Sequence, residues 1–161
     1  GSTMDSFRSA SILKNLRTLH IRVQQHSKNA LFLAERFELM RLKTVYPGLP
    51  SHPSHDIFKD MMNAEYGYGG MLTLDAGSLE KANELMELMQ HRNLGYLAVS
   101  LGFYKTLFSA PGSSTSSEIP ENEQKEMGLS DGLIRFSIGL DADIERTLMT
   151  MTECMKEVGI I

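Results

Sequence analysis

GLIRFSIGLD, from Gly132 to Asp141, decides the architecture, because Leu133 to Ile138 alternates in a way only a half-buried strand satisfies. Ile134, Phe136 and Ile138 point one way, while Leu133, Arg135 and Ser137 point the other. Asp141 is expected to open a final helix, with Asp143 and Glu145 in its first turn, where the helix dipole favours anions. Ile144, Leu148, Met151 and Met155 then form its buried stripe.

Working back along the chain, Pro111 to Glu121 is polar and rich in Ser and Gly, hence a loop, and Glu123 to Met127 suits one helical turn. Thr106-Leu107-Phe108 and the apolar run Gly95 to Val99 have strand length. Ser78 can cap a helix lined by Leu79, Ala82, Met86 and Met89. Met71 to Leu74 reads as a strand after the glycines at 67, 69 and 70. Lys43 to Tyr46 is a short strand ended by Pro47-Gly48-Leu49-Pro50, and a short helix is expected around Asp56 to Met62. From Ser11 to Leu42 no Gly or Pro interrupts a helical pattern in which Leu16, Leu19, Val23, Ala30, Ala34 and Phe37 share a face. Methionines are many, eleven in all, and their places on helix faces mark them as core filling.

The expected fold is therefore α+β: a small mixed or antiparallel sheet covered by helices, with about four strands and four or five helices. Residues 1–4 read as an expression scar and start, 5–42 as a long connecting helix, and 43–161 as the α+β domain. The opening helix begins abruptly, as a connecting helix does when what preceded it has been removed. At 161 residues the chain can bury a single core. A net charge of -4, with acids and bases mixed, offers no basic stripe for nucleic acid. The apolar runs are too short to span a membrane or to form a signal peptide. One cysteine, Cys154, fits a reducing compartment, and a cytoplasmic location is expected.

Candidate chemistry is sparse. His52 and His55 lack the further ligands a zinc site needs, so a solvated turn is expected there. Gly67, Gly69 and Gly70 precede a strand instead of a helix, which suits a tight turn and not a phosphate loop. The hydroxyls from Ser113 to Ser117 include no G-x-S-x-G elbow, leaving a small polar loop that can line a pocket. Arg135, inside an apolar strand, either faces solvent or meets an anion, and its planar fork suits a carboxylate.

Taken together, VSLG (Val99 to Gly102) and LIRFSIGLD (Leu133 to Asp141) resemble the Cys/Met-metabolism class of pyridoxal-phosphate (PLP) dependent enzymes. LRTLHIRVQQHSKNA (Leu16 to Ala30) resembles that family's helix linking cofactor and C-terminal domains. Within the family, SAPGSSTSSEIP (Ser109 to Pro120) and EYGYGGMLTLD (Glu65 to Asp75) look most like methionine γ-lyases, which convert L-methionine to methanethiol, 2-oxobutyrate and ammonia. The resemblance implies an aspartate-aminotransferase-like fold, of which this chain is the C-terminal domain. It also implies that Arg135 grips a substrate carboxylate, with Ser100, Leu101 and Thr115 beside it. Lys105 stands where the family often has an acid, and Ser116 where many members have histidine.

None of the eight lysines sits in the family's S-x-T-K context, and the ring-stacking aromatic, the pyridinium aspartate and the phosphate-binding residues have no counterpart. PLP chemistry depends on those groups. The expectation is thus a carboxylate-binding domain of a carbon–sulfur lyase, inactive alone and binding no PLP by itself. A non-catalytic interaction module and an enzyme completed in trans by a separate cofactor domain are the alternatives. The expected partners are a second copy or a full-length relative, with an amino-acid carboxylate as ligand.

Overall fold

The computed structural model describes residues 3–113 and 118–161. The chain runs α1 (Ser6–Leu16), α2 (Leu19–Leu39), β1 (Thr44–Val45), α3 (His55–Met61), β2 (Met71–Asp75), α4 (Leu79–His91), β3 (Tyr96–Leu97), β4 (Leu107–Ser109), α5 (Glu121–Glu126), β5 (Leu133–Ser137) and α6 (Ile144–Glu157). The strands form one sheet in the order β1-β2-β5-β4-β3. Every pairing is antiparallel except β3 with β4. The α+β fold with a small mixed sheet is as expected.

Strand β5 is central, with Ile134 opposite Leu74, and Phe136 opposite both Leu72 and Phe108. These five side chains lie in one core with Ala30, Leu33, Ala34 and Phe37 of α2, Met86 and Met89 of α4, and Met151 and Met155 of α6. Helices therefore cover one face of the sheet. Phe108 and Phe136 meet at 6.1 Å between ring centroids, and burying each ring is worth about 1.5–3 kcal/mol. The second face carries Thr73, Arg135 and Ser109 in one cross-strand row, and Met71, Ser137 and Leu107 in the next.

Three boundaries differ from expectation. The one long helix expected over 5–42 is two, broken at Arg17 and Thr18, where Thr18 takes φ −113°, ψ 9°. Seven residues of α2 are buried and none of α1, so core packing holds the axis of α2 and leaves α1 unconstrained. Arg22 reaches back across the break to donate to the Asn15 carbonyl at 2.7 Å. At the other end, Asp143 caps α6 by accepting from the Arg146 amide, while Asp141 accepts from the Asp143 amide and the Thr147 hydroxyl. The strand expected over 95–99 shrinks to Tyr96–Leu97, because the chain then leaves the sheet edge to cross the second face.

Tyr46 ties β1 to the glycine turn. Its ring is fully buried and its hydroxyl donates to the Gly69 carbonyl at 2.8 Å. Gly67 and Gly69 have φ of +65° and +84°, which glycine adopts without strain. The Gly69 amide donates to the Ser27 hydroxyl on α2, so this turn is structural.

Burial pushes the Tyr46 phenol up to about 12 from 10.0. Its neutral form is the one the fold favours, so this contribution to stability is fully present below pH 10 and lost as pH rises toward 12. In an alkaline titration followed by tyrosinate absorbance and compared with Tyr46→Phe, the Tyr46 contribution should appear well above pH 10, together with unfolding. Ionisation of Tyr46 near pH 10 in the folded protein would contradict this placement.

Candidate functional site

The second sheet face gathers the polar groups of the central strands. Arg135 sits midway along β5, half-buried, with Thr73 and Ser109 as its register neighbours. In such a row the β-carbons lie about 4.5–5.5 Å apart, so the three side chains share one environment. Both the Arg135 Nε and the Ser109 Oγ are buried and have no hydrogen-bond partner. A buried donor left unpaired costs about 1–3 kcal/mol, and more when it is charged. Two such groups on paired residues mark a place where an acceptor is missing.

Over this row runs the segment that follows β3. Arg135 Nη2 donates to the Ser100 carbonyl at 3.3 Å. Two residues on, the Gly102 amide donates to the Ser137 hydroxyl at 2.9 Å. Leu101 between them is 65% exposed and borders a cavity of about 170 Å³ shared with Val23, His26, Gly70, Met71 and Ser137. Thus Arg135, Ser100 and Leu101, far apart in the chain, occupy one region of the second face. Thr115 and Ser116 lie outside the described residues. Lys105 holds its ammonium 5.3 Å from the centre of the Tyr96 ring, within cation–π range.

The chain beyond β5 is pinned to α2. His26 Nδ1 donates to the Ile138 carbonyl at 2.5 Å, and the Asn29 amide donates to the carbonyls of Gly139 and Asp141. On the opposite side the Gly139 amide donates to Thr106 Oγ1, and the Leu140 amide to the Tyr104 carbonyl. These bonds hold both ends of the site rigid.

The remaining candidates have structural roles. His55 donates through Nδ1 to the Pro47 carbonyl and stacks on Tyr68, and His52 accepts from the Ser54 amide. Among the described residues no group of three or more His, Cys, Asp or Glu could hold a metal ion. Burial raises the Cys154 thiol above its ordinary range, the direction that makes it a poor nucleophile. No described helix is long and apolar enough to cross a membrane.

The sequence profile of the Cys/Met metabolism PLP-dependent enzymes matches residues 1–150. The chain belongs to that family. It is 42% identical over 147 residues to a methionine gamma-lyase of Arabidopsis thaliana, covering 91% of this chain and 33% of that protein. Among solved structures it resembles yeast cystathionine gamma-lyase, with a TM-score of 0.82 and 29% identity over 91% of this chain and 37% of that one. A Campylobacter jejuni protein described as an O-acetylhomoserine (thiol)-lyase, which carries a pyridoxyl-lysine phosphate, superposes with a TM-score of 0.81 at 30% identity, over 89% of this chain and 34% of that one. The fold is therefore that of fold type I PLP enzymes. The chain spans about a third of the length of the relatives it matches.

The residues described here suit a carboxylate better than they suit PLP. A Schiff base needs an amine, yet β2, β4 and β5 carry no lysine. Lys43 pairs with Asp75, Lys81 with the Gly159 carbonyl, and Lys105 with the Tyr96 ring. The described part of the second face presents an unpaired guanidinium nitrogen and an unpaired hydroxyl, and its central strands bring no amine to them.

Sequence reasoning missed Ser109 and Ser137 as members of the site. Alternation put Ser137 on the face of Arg135, but its partner Gly102 lies thirty-five residues away. Ser109 is made a neighbour of Arg135 only by the β4–β5 register.

A β-carbon on Gly139 would lie within 2.7 Å of backbone atoms of Thr106, Lys105 and Tyr104. Gly139→Ala should therefore force β5 and the segment before β4 apart, lowering stability by about 1–3 kcal/mol or more in urea unfolding. An unchanged midpoint would show that this contact is not tight in solution.

Proposed function

We propose that this chain is the substrate-carboxylate-binding, C-terminal domain of a PLP-dependent methionine γ-lyase-like carbon–sulfur lyase. In this reading Arg135 grips the α-carboxylate, Ser100 and Leu101 border it, and Thr115 closes over it. The observation that carries the reading is the buried, unpartnered Nε of Arg135 beside the equally unpartnered Ser109 hydroxyl. A carboxylate supplies acceptors to both, and guanidinium binds it in a two-point, charge-assisted pair. Methionine as substrate is favoured by the 42% identity to the Arabidopsis thaliana methionine gamma-lyase. In this reading the Schiff-base lysine, for which no lysine of these residues has the S-x-T-K context, is supplied from elsewhere, so we expect no catalysis from these residues alone. The single buried Cys154 suits a reducing compartment such as the cytoplasm.

A second reading rests on α1. None of its residues is buried, and Phe7, Ile12, Leu13 and Leu16 are all exposed. Such a stripe suits association with a second copy or with a full-length relative. Size-exclusion chromatography with and without a full-length homologue tests it. A strict monomer that ignores the homologue would count against association.

The carboxylate reading is tested by titrating the isotopically labelled chain with acetate and with L-norleucine. The Arg135 side-chain signals should shift in the wild type. Arg135→Ala should lose about 1.5–3 kcal/mol of binding, the value of hydrogen bonds to a charged group, without loss of stability, because it also removes the unpaired buried Nε. Collapse of the fold would make the arginine structural, and a wild type indifferent to both carboxylates would remove the reading altogether.

A further inference from the structure

We infer that Ser137 is a positioning residue, whose hydroxyl holds the Ser100-Leu101-Gly102 segment over Arg135. Its role at the substrate rests on the carboxylate reading of Arg135, whereas its hold on the segment does not. Ser137 is 4% exposed and lies two residues after Arg135 on the same face of β5. Gly102 likewise lies two residues after Ser100. The segment is thus attached to one strand face at two matched points, Ser100 to Arg135 and Gly102 to Ser137.

The two attachments are unequal. The Gly102–Ser137 bond is 2.9 Å long, made by a buried hydroxyl whose backbone is paired on both sides. The Arg135–Ser100 contact is 3.3 Å, exposed, and made by the end of a flexible side chain. A ligand carboxylate is a stronger acceptor than a peptide carbonyl and can displace the second without touching the first. Between the Ala98 amide, bonded to the Phe108 carbonyl, and the Tyr104 carbonyl, bonded to the Leu140 amide, these two are the bonds that tie the segment to β5. Leu101 and Phe103 on either side of Gly102 are exposed, and the Phe103 ring meets those of Tyr96 and Tyr104, which lie outside β5. Gly102 has φ +71°, the left-handed turn that directs its amide at Ser137. When the arginine turns to a ligand, Ser137 keeps the roof of the site in place.

The test uses the 161-residue chain with Ser137→Ala and Ser137→Thr. The first removes the acceptor. The second restores a hydroxyl and adds a methyl beside the cavity of about 170 Å³ that Ser137 lines. Hydrogen exchange at the Gly102 amide should quicken about five- to tenfold in Ser137→Ala, the effect of losing one neutral hydrogen bond. It should return toward the wild-type rate in Ser137→Thr. The acetate-induced shift of the Arg135 side chain should weaken and recover in parallel, with the thermal midpoint similar in all three proteins. Unchanged Gly102 exchange in Ser137→Ala, or equal losses in both variants, would overturn the inference. If Gly102 exchange follows the hydroxyl while the wild type ignores acetate, the positioning role stands and the carboxylate reading falls.

Discussion

Strand β5 is hydrogen-bonded on both flanks, to β2 and to β4, and its side chains must therefore alternate between two faces with no edge to escape through. Ile134 and Phe136 are drawn under the helices, and that burial commits Arg135 and Ser137 to the opposite side. A register slip of one residue would place a guanidinium in the core, so the same apolar burial that builds the sheet also fixes the face on which Arg135 lies. The helices α2, α4 and α6 then serve as the fixed wall against which this choice is made.

From that constraint the rest of the site follows. The chain after β5 is fastened to α2 by His26 and Asn29, and to the segment before β4 by Thr106 and the Tyr104 carbonyl. Between those supports the segment after β3 lies across the second face. It leaves a guanidinium and a hydroxyl without acceptors, an arrangement a fold tolerates where a ligand or another part of a longer protein completes it. The chain covers about a third of its relatives, and its second face is the one that carries those unpaired groups.

Much of this architecture is legible in the order of residues alone. Alternation in Leu133 to Ile138 revealed the central strand, Ser78 the start of α4, and the spacing of Met151 and Met155 the buried stripe of α6. Failures cluster where local pattern and tertiary packing separate. No residue between Leu16 and Leu19 announces a helix break, because the break arises where core contact with α2 ends. Asp141 and Asp143 are both plausible caps by type, and the bond from the Arg146 amide to the Asp143 carboxylate is what makes Asp143 the cap.

Residue order was enough to establish the α+β pattern, the family and the oddly placed arginine. Periodicity and motif are local properties, and the strand's two faces follow from its period of two. Which groups surround Arg135 stayed open at that level, since they come from far away in the chain. Folding brought Ser109, Ser100 and the Ser137–Gly102 bond to it through sheet register and a crossing segment. Those contacts join residues twenty-six to thirty-five positions apart, and no local pattern encodes such a meeting.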